Sequence, residues 1–250
     1  MAQLRCLVLG GTGSIGSSVC QRLSEENCSF VFSYYQNKTK AESLKNSLLV
    51  KAALACDFRE FKQTTQVIAQ AAELLGGLDC LIQCVGISGD KKFYSGLTNR
   101  STHTDHITQD DIDDAYQVNT RGTFNACQAA FEVMRTGKGG GNIIVLGSMD
   151  GVKAVPSPVH FAMSKAALKG LVESMAKVLG QYDIRINLLA PGIVNGGASD
   201  VLNDSVKDSY LKYCSLGRFA EPEEIAEMAV WLGLENTYIT GQSILLDGGL

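Results

Sequence analysis

The sequence predicts a single α/β domain built on a doubly wound parallel sheet of about seven strands, with helices on both faces. Three observations predict it. Short apolar runs of strand length alternate with longer stretches of helical periodicity, the pattern of parallel strands joined by crossover helices. The first such run, Leu4–Leu9, passes straight into a glycine-rich turn and then a helical segment. The length, 250 residues, is enough for one large core without a second domain.

Composition excludes several classes. A net charge of −4 leaves no basic footprint for nucleic acid, and no run of Lys or Arg suggests a membrane surface. No apolar stretch reaches the roughly 18 residues that a membrane helix needs. Met1-Ala2-Gln3-Leu4-Arg5 has no signal-peptide pattern, so a cytoplasmic protein is expected. Of the eight cysteines, Cys6, Cys28, Cys56, Cys80 and Cys84 lie in strand-like runs, and Cys20 and Cys127 in helical ones. With no Cys-x-x-Cys pair, buried free thiols are expected rather than disulfides or a metal site.

In chain order, the run Leu4–Leu9 ends in Gly10-Gly11-Thr12-Gly13-Ser14-Ile15-Gly16. A strand, a tight turn and a helix start aim backbone N–H groups and the positive helix end at a pyrophosphate. Gly10 permits the turn, Gly13 lets phosphate approach the backbone and Gly16 lets helix and strand pack closely, with Thr12, Ser14 and Ile15 completing the loop. Cys28–Tyr34 reads as the second strand. A carboxylate at its end would bind the ribose hydroxyls of NAD, but the chain offers Tyr35, Gln36, Asn37, Lys38 and Lys40, and no acid before Glu42. That favours NADP(H) over NAD(H), with Asn37 or Lys38 near the 2′-phosphate.

Residues 51–56 form a third strand, followed by a helix over 60–75, and residues 78–86 a fourth. Residues 89–109 are polar and read as a surface loop beside the site; His103, Asp105 and His106 within it fit no metal-ligand spacing. Helical periodicity resumes over 110–134, and 142–146 is a fifth strand. The helix after Phe161 is apolar almost all round, with Ala162, Ala166, Ala167, Leu168, Leu171, Val172, Met175, Val178 and Leu179, so it should be buried on two sides. Residues 184–189 are a sixth strand. Residues 193–215, rich in Gly, Ser and Asp, read as a lid over a small-molecule substrate.

Ser148 precedes Phe161 by 161 − 148 = 13 positions, and Lys165 follows it by 165 − 161 = 4. This register resembles the catalytic segment of the short-chain dehydrogenase/reductase family, a Rossmann fold in which Tyr-x-x-x-Lys follows a Ser by thirteen positions. Here the tyrosine position holds phenylalanine. The glycine turn, Pro191-Gly192 and the C-terminal segments Leu216-Gly217-Arg218-Phe219, Glu221-Pro222-Glu223-Glu224 and Asp247-Gly248-Gly249 extend the resemblance over essentially the whole chain. It is closest to 3-oxoacyl-acyl-carrier-protein reductase-like members.

The resemblance implies further roles. Asp57, with Phe58 beside it, would contact adenine, and helix capping is an alternative for Asp57. Gly86 would close the fourth strand, where relatives carry Asn-Asn-Ala-Gly and this chain has Gln83-Cys84-Val85-Gly86. Asn119 would hold a water in a proton relay to Lys165, and a buried amide bridging a helix kink is compatible with that. Pro191, Gly192 and Ile193 would hold the nicotinamide carboxamide, while Gly196 occupies a position where relatives carry threonine. The helices 110–134 and 161–180 would pair subunits into a dimer or tetramer.

In that family, hydride goes to a carbonyl and tyrosine supplies the proton, with lysine lowering its pKa and serine stabilising the substrate oxygen. Ser148, Lys165 and Asn119 are present, and Phe161 has no proton to give. Three readings follow. One is an NADP(H)-dependent reductase of a carbonyl or enoyl substrate that uses another acid: His160, Tyr94, Tyr116, or water held by Ser148 and Lys165. The second is a non-redox dehydratase or cyclase. The third is a silent dinucleotide-binding protein.

Overall fold

The protein is described by a computed structural model covering residues 3–88, 107–137, 140–202 and 204–250. Seven parallel strands form one sheet: β1 (Leu4–Leu9), β2 (Cys28–Tyr34), β3 (Ala52–Ala55), β4 (Cys80–Gln83), β5 (Gly141–Leu146), β6 (Ile184–Pro191) and β7 (Ser243–Leu246), in the order 3-2-1-4-5-6-7. The helices between them are α1 (Ser14–Ser24), α2 (Lys38–Ser47), α3 (Phe61–Leu75), α4 (Gln109–Ala115), α5 (Thr123–Thr136), α6 (Val159–Leu179), α7 (Asp204–Tyr213) and α8 (Pro222–Leu234). The architecture is the expected doubly wound sheet. The strands β3 and β4 are shorter than the sequence reading, although the flanking Lys51, Cys56, Asp79 and Cys84 N–H groups still donate to carbonyls of neighbouring strands.

Alternation along each strand builds two cores. From β1, Leu7 and Leu9 enter the core beneath α3, α5 and α6, while Cys6 and Val8 enter the one beneath α1 and α8. Both sheet faces are therefore dry, as a parallel sheet with crossover helices requires. The thiols follow the same logic: all eight cysteines are free, and all but Cys84 are buried.

The helix read over 110–134 is present from Gln109 to Thr136, with a π-helical stretch in its middle. A capping box between Thr108 and Asp111 starts α4. A π-helical segment, Tyr116–Gly122, then carries Asn119 before α5 begins. The helix expected to be apolar all round, α6, buries His160, Phe161, Ser164, Lys165, Leu168, Val172, Ala176 and Leu179 against the sheet. Its outer side leaves Met163 and Val178 more than half exposed. Among the described residues, no helix is long and apolar enough to cross a membrane.

β1 is flanked by β2 on one side and β4 on the other, so the chain winds outward in opposite directions from this pair. The crevice beyond the carboxyl ends of β1 and β4 is where such a sheet binds ligands.

Candidate active site

At the end of β1 the chain turns at Gly10, whose φ of +80° is a backbone state that glycine enters without strain. Gly13 then caps α1 with no side-chain hydrogen bond, and the first turn carries no acidic residue. The N-terminal N–H groups of α1 are thus left without a side-chain acceptor, an arrangement suited to an anion. Gly16 has no room for a side chain: a Cβ there would stand 2.1 Å from the Gly10 carbonyl oxygen.

Beside this turn, the three polar residues after β2 have different fates. The Asn37 side chain accepts from the Lys40 N–H and caps α2, and Lys38 is exposed. The Lys40 ammonium reaches back to Ser17 Oγ on α1, at 3.4 Å. Of the two lysines, Lys40 is thus the one with a side-chain contact to α1. Asp57 does not cap α3; its carboxylate accepts from the Arg59 N–H at 3.0 Å, and Glu60 takes the cap position. Arg59 in turn lies 5.9 Å from the centre of the Tyr35 ring. Sequence reasoning did not single out Arg59; its only signal was a cation two residues after Asp57. The Phe58 ring is in the core against Gly122, and Phe58 does not line the cavity described below.

A cavity of about 310 Å³ runs from the turn Gly13–Gly16 to Ser148, Phe161, Lys165 and Pro191–Ile193. Lys165 is buried at its floor, donates to the Leu146 carbonyl at 3.1 Å and lies 5.9 Å from the Phe161 ring centre. Burial pulls its ammonium down to about 8, with the negative charge of Asp150 working in the opposite direction. Gly86 makes this approach possible: a Cβ there would be 3.0 Å from Lys165 Nζ and 3.3 Å from Asn119 Oδ1.

Asn119 is fully buried behind the cavity. Its Oδ1 accepts from the Ile87 N–H at 2.8 Å, and its amide donates to the Ile87 carbonyl and Ser164 Oγ, both at 2.9 Å. Both amide hydrogens are therefore used within the protein. The residue ties the end of β4 to α6 from the π-helical segment, so any water it holds must sit on an oxygen lone pair.

Ser148 begins a short 3₁₀ turn, Met149–Gly151. Its hydroxyl is hydrogen-bonded to Asp150 Oδ2, and the Asp150 N–H approaches Ser148 Oγ at 3.4 Å. Asp150 lines the same cavity. Sequence reasoning passed over it, although an acid two residues after the key serine was a visible signal. The alternative acids fare differently. His160 is buried and does not line the cavity, and Tyr116 is exposed. Tyr94, like most of the segment 89–109 with His103 and His106, lies outside the described residues. No group of His, Cys, Asp or Glu among the described residues could hold a metal ion.

Across the cavity, Gly192 packs under Tyr210, whose hydroxyl donates to the Asp247 carbonyl at 2.9 Å. Gly196 has φ of +78° and Gly197 +65°, and both face Ser14 across the cavity mouth. A β-branched threonine at 196 would be strained in this backbone, which accounts for glycine there. The segment 193–215 is not featureless: α7 buries Tyr210, and Ile193, Met149 and Cys214 join it in a small third core.

A site of this composition, at this point of this sheet, has known counterparts. Residues 10–250 match a family model described as enoyl-(acyl carrier protein) reductase. Carbonyl reductase family member 4 of Xenopus laevis is 32% identical over 98% of this chain and 97% of its own. The 3-oxoacyl-[acyl-carrier-protein] reductase FabG of Staphylococcus aureus (strain Mu50) is 28% identical over 98% and 96%. The crystal structure of a short-chain dehydrogenase from Burkholderia cenocepacia in complex with NADP superposes with a TM-score of 0.84, at 25% identity over 98% of this chain and 97% of that one. The chain belongs to the short-chain dehydrogenase/reductase family.

Proposed function

We propose that the protein is an NADP(H)-dependent oxidoreductase that reduces a carbonyl or enoyl group of a small molecule, in a site with phenylalanine at the usual tyrosine position. The observation that carries this is one continuous cavity joining the uncapped N-terminus of α1 to Ser148 and Lys165. The residues fit a dinucleotide. The turn Gly10–Gly16 leaves backbone N–H groups for the pyrophosphate, and Gly86, Gly192 and Gly196 keep side chains out of the path of the second nucleotide. NADPH, when bound, supplies the hydride.

The chain's own residues do the rest. Lys40 beside Ser17, with no acid at the end of β2, supports the phosphorylated cofactor, and Arg59 and Tyr35 frame the adenine end. The NADP complex of the Burkholderia relative is consistent with that preference. Lys165 places a positive charge beside the reacting centre, Ser148 offers a hydroxyl to the substrate oxygen, and Phe161 keeps water from the floor of the pocket. Carbonyl and acyl-thioester substrates are suggested by the relatives' activities; Leu202 and Val206 give the lid side of the cavity an apolar lining suited to an acyl or alkyl chain. The segments 89–109 and 193–215 would select that substrate, and the exposed sides of α5 and α6, with Phe124 and Met163, would pair subunits.

A silent binder is the second reading, favoured by the bare ring of Phe161. Consumption of NADPH by wild type and Phe161→Tyr, across ketones, quinones and enoyl thioesters, separates the two. Turnover by wild type supports the reductase. Turnover by the tyrosine variant alone would establish a silenced scaffold.

A further inference from the structure

We propose that Asp150, acting through Ser148, supplies the proton for reduction in place of the absent tyrosine; this rests on the reductase reading above. The argument starts from the count of protons. A serine hydroxyl has one, and here it is engaged with Asp150 Oδ2. While Asp150 is a carboxylate, it holds that proton, and Ser148 presents only lone pairs to the cavity. An oxygen with lone pairs alone cannot stabilise a developing alkoxide. Once Asp150 carries a proton of its own, the polarity reverses: Asp150 donates to Ser148, and Ser148 is free to donate to the substrate oxygen. The pair is therefore an acid when it shares two protons and a base when it shares one.

The surroundings suit this use. The described residues that line the cavity carry three titratable groups, Asp150, Lys165 and Cys84. Burial pushes the Cys84 thiol up to about 12, which keeps it neutral. Lys165 is close enough for the Asp150 charge to act on it. The Ser148–Asp150 unit sits on a 3₁₀ turn that is clamped by α6: a Cβ at Gly151 would be 2.5 Å from the Lys165 carbonyl carbon. The turn cannot easily swing Asp150 away.

The step balances. The carbonyl carbon of the substrate gains the hydride with its electron pair, and the C=O π pair moves onto oxygen. That oxygen forms a bond to the Ser148 proton as the Oγ–H bond breaks, and Oγ takes the Asp150 carboxyl proton. Asp150 is left as a carboxylate beside Lys165 and regains a proton from water at the cavity mouth. In the reverse direction, the carboxylate draws the alcohol proton through Ser148.

The test compares wild type, Asp150→Asn, Phe161→Tyr and the double variant, with NADPH affinity measured separately by fluorescence. Loss of a positioned acid typically costs about 10²–10⁴ in rate. Asp150→Asn should fall by that order with NADPH affinity unchanged, and should lose the rise of the reductive rate toward low pH. Formate should restore part of the rate to Asp150→Ala, which a purely structural role would not allow. In the Phe161→Tyr background, Asp150→Asn should cost little, because tyrosine supplies the proton.

Infrared titration gives a readout without turnover: a carboxyl band lost in Asp150→Asn should shift in Ser148→Ala, and an unshifted band would overturn the coupling. If Asp150→Asn keeps the wild-type rate and pH profile, the relay is wrong and the reductase reading stands. If wild type is silent while Phe161→Tyr turns over, both fall together.

Discussion

The two ends of the cavity answer to different constraints. At the phosphate end, each requirement is met by backbone: Gly10 in the left-handed region, Gly13 as an unoccupied cap, and Gly16 pressed on the Gly10 carbonyl. At the chemical end, the cavity is lined by side chains: Ser148 bonded to Asp150, the Phe161 ring, and Lys165. Backbone solutions tolerate little variation, since any side chain at Gly16 collides. The difference teaches that a turn built from backbone and a site built from side chains can be perturbed separately, the one by adding a Cβ and the other by exchanging a polar group.

The comparison can be broken most forcefully at Phe161. If the chemical end lacks only a good acid, Phe161→Tyr should raise the rate of carbonyl reduction by about 10²–10⁴ over any variant that also lacks Asp150. Single-turnover oxidation of NADPH reads it directly. An equal rate in the two would mean that the proton step does not limit either enzyme.

The phosphate end should fail differently. Gly16→Ala puts a Cβ 2.1 Å from the Gly10 carbonyl oxygen. Overpacking of this kind typically costs 1–3 kcal/mol, so NADPH affinity should fall by roughly tenfold to a hundredfold. Fluorescence titration checks the affinity, and circular dichroism checks that the fold survives.

Lys165 sharpens the contrast between stability and function. Its pKa falls from 10.5 to about 8 on burial. Between those values the unfolded chain binds more protons than the folded one, so this residue makes stability rise with pH across that window, and below about 8 it imposes a constant penalty. Lys165→Met should therefore lose activity yet gain about 1–3 kcal/mol at pH 7, and should lose that part of the pH dependence. Denaturant melts of both proteins at pH 7 and pH 10 measure it; destabilisation by the methionine would show that the bond to Leu146 outweighs desolvation.

The smallest effect is expected at Lys40. Lys40→Ala should weaken NADPH by about tenfold, in keeping with one charge-assisted hydrogen bond, and leave NADH unchanged. The loss should shrink at high salt. Equal weakening of both cofactors would mean that Lys40 supports the fold of the turn rather than the extra phosphate.

What the sequence by itself determined is the part written in local pattern. The strand–glycine–helix start, six of the seven strands and the spacing of Ser148, Phe161 and Lys165 follow from periodicity and backbone sterics, which act between near neighbours. The helix read over 110–134 is present, with a π-helical segment inside it that carries Asn119 to Ile87, 32 residues away, and no local signal reports that. That Lys40 and not Lys38 touches α1 depended on which side of α2 faces it. Only the tertiary structure put the local Ser148–Asp150 pair within reach of the Lys165 charge, because that meeting requires the end of β5 and the start of α6 to close on one cavity. Hydrogen bonds and charges act through space, and the chain's order does not say which of its residues will share it.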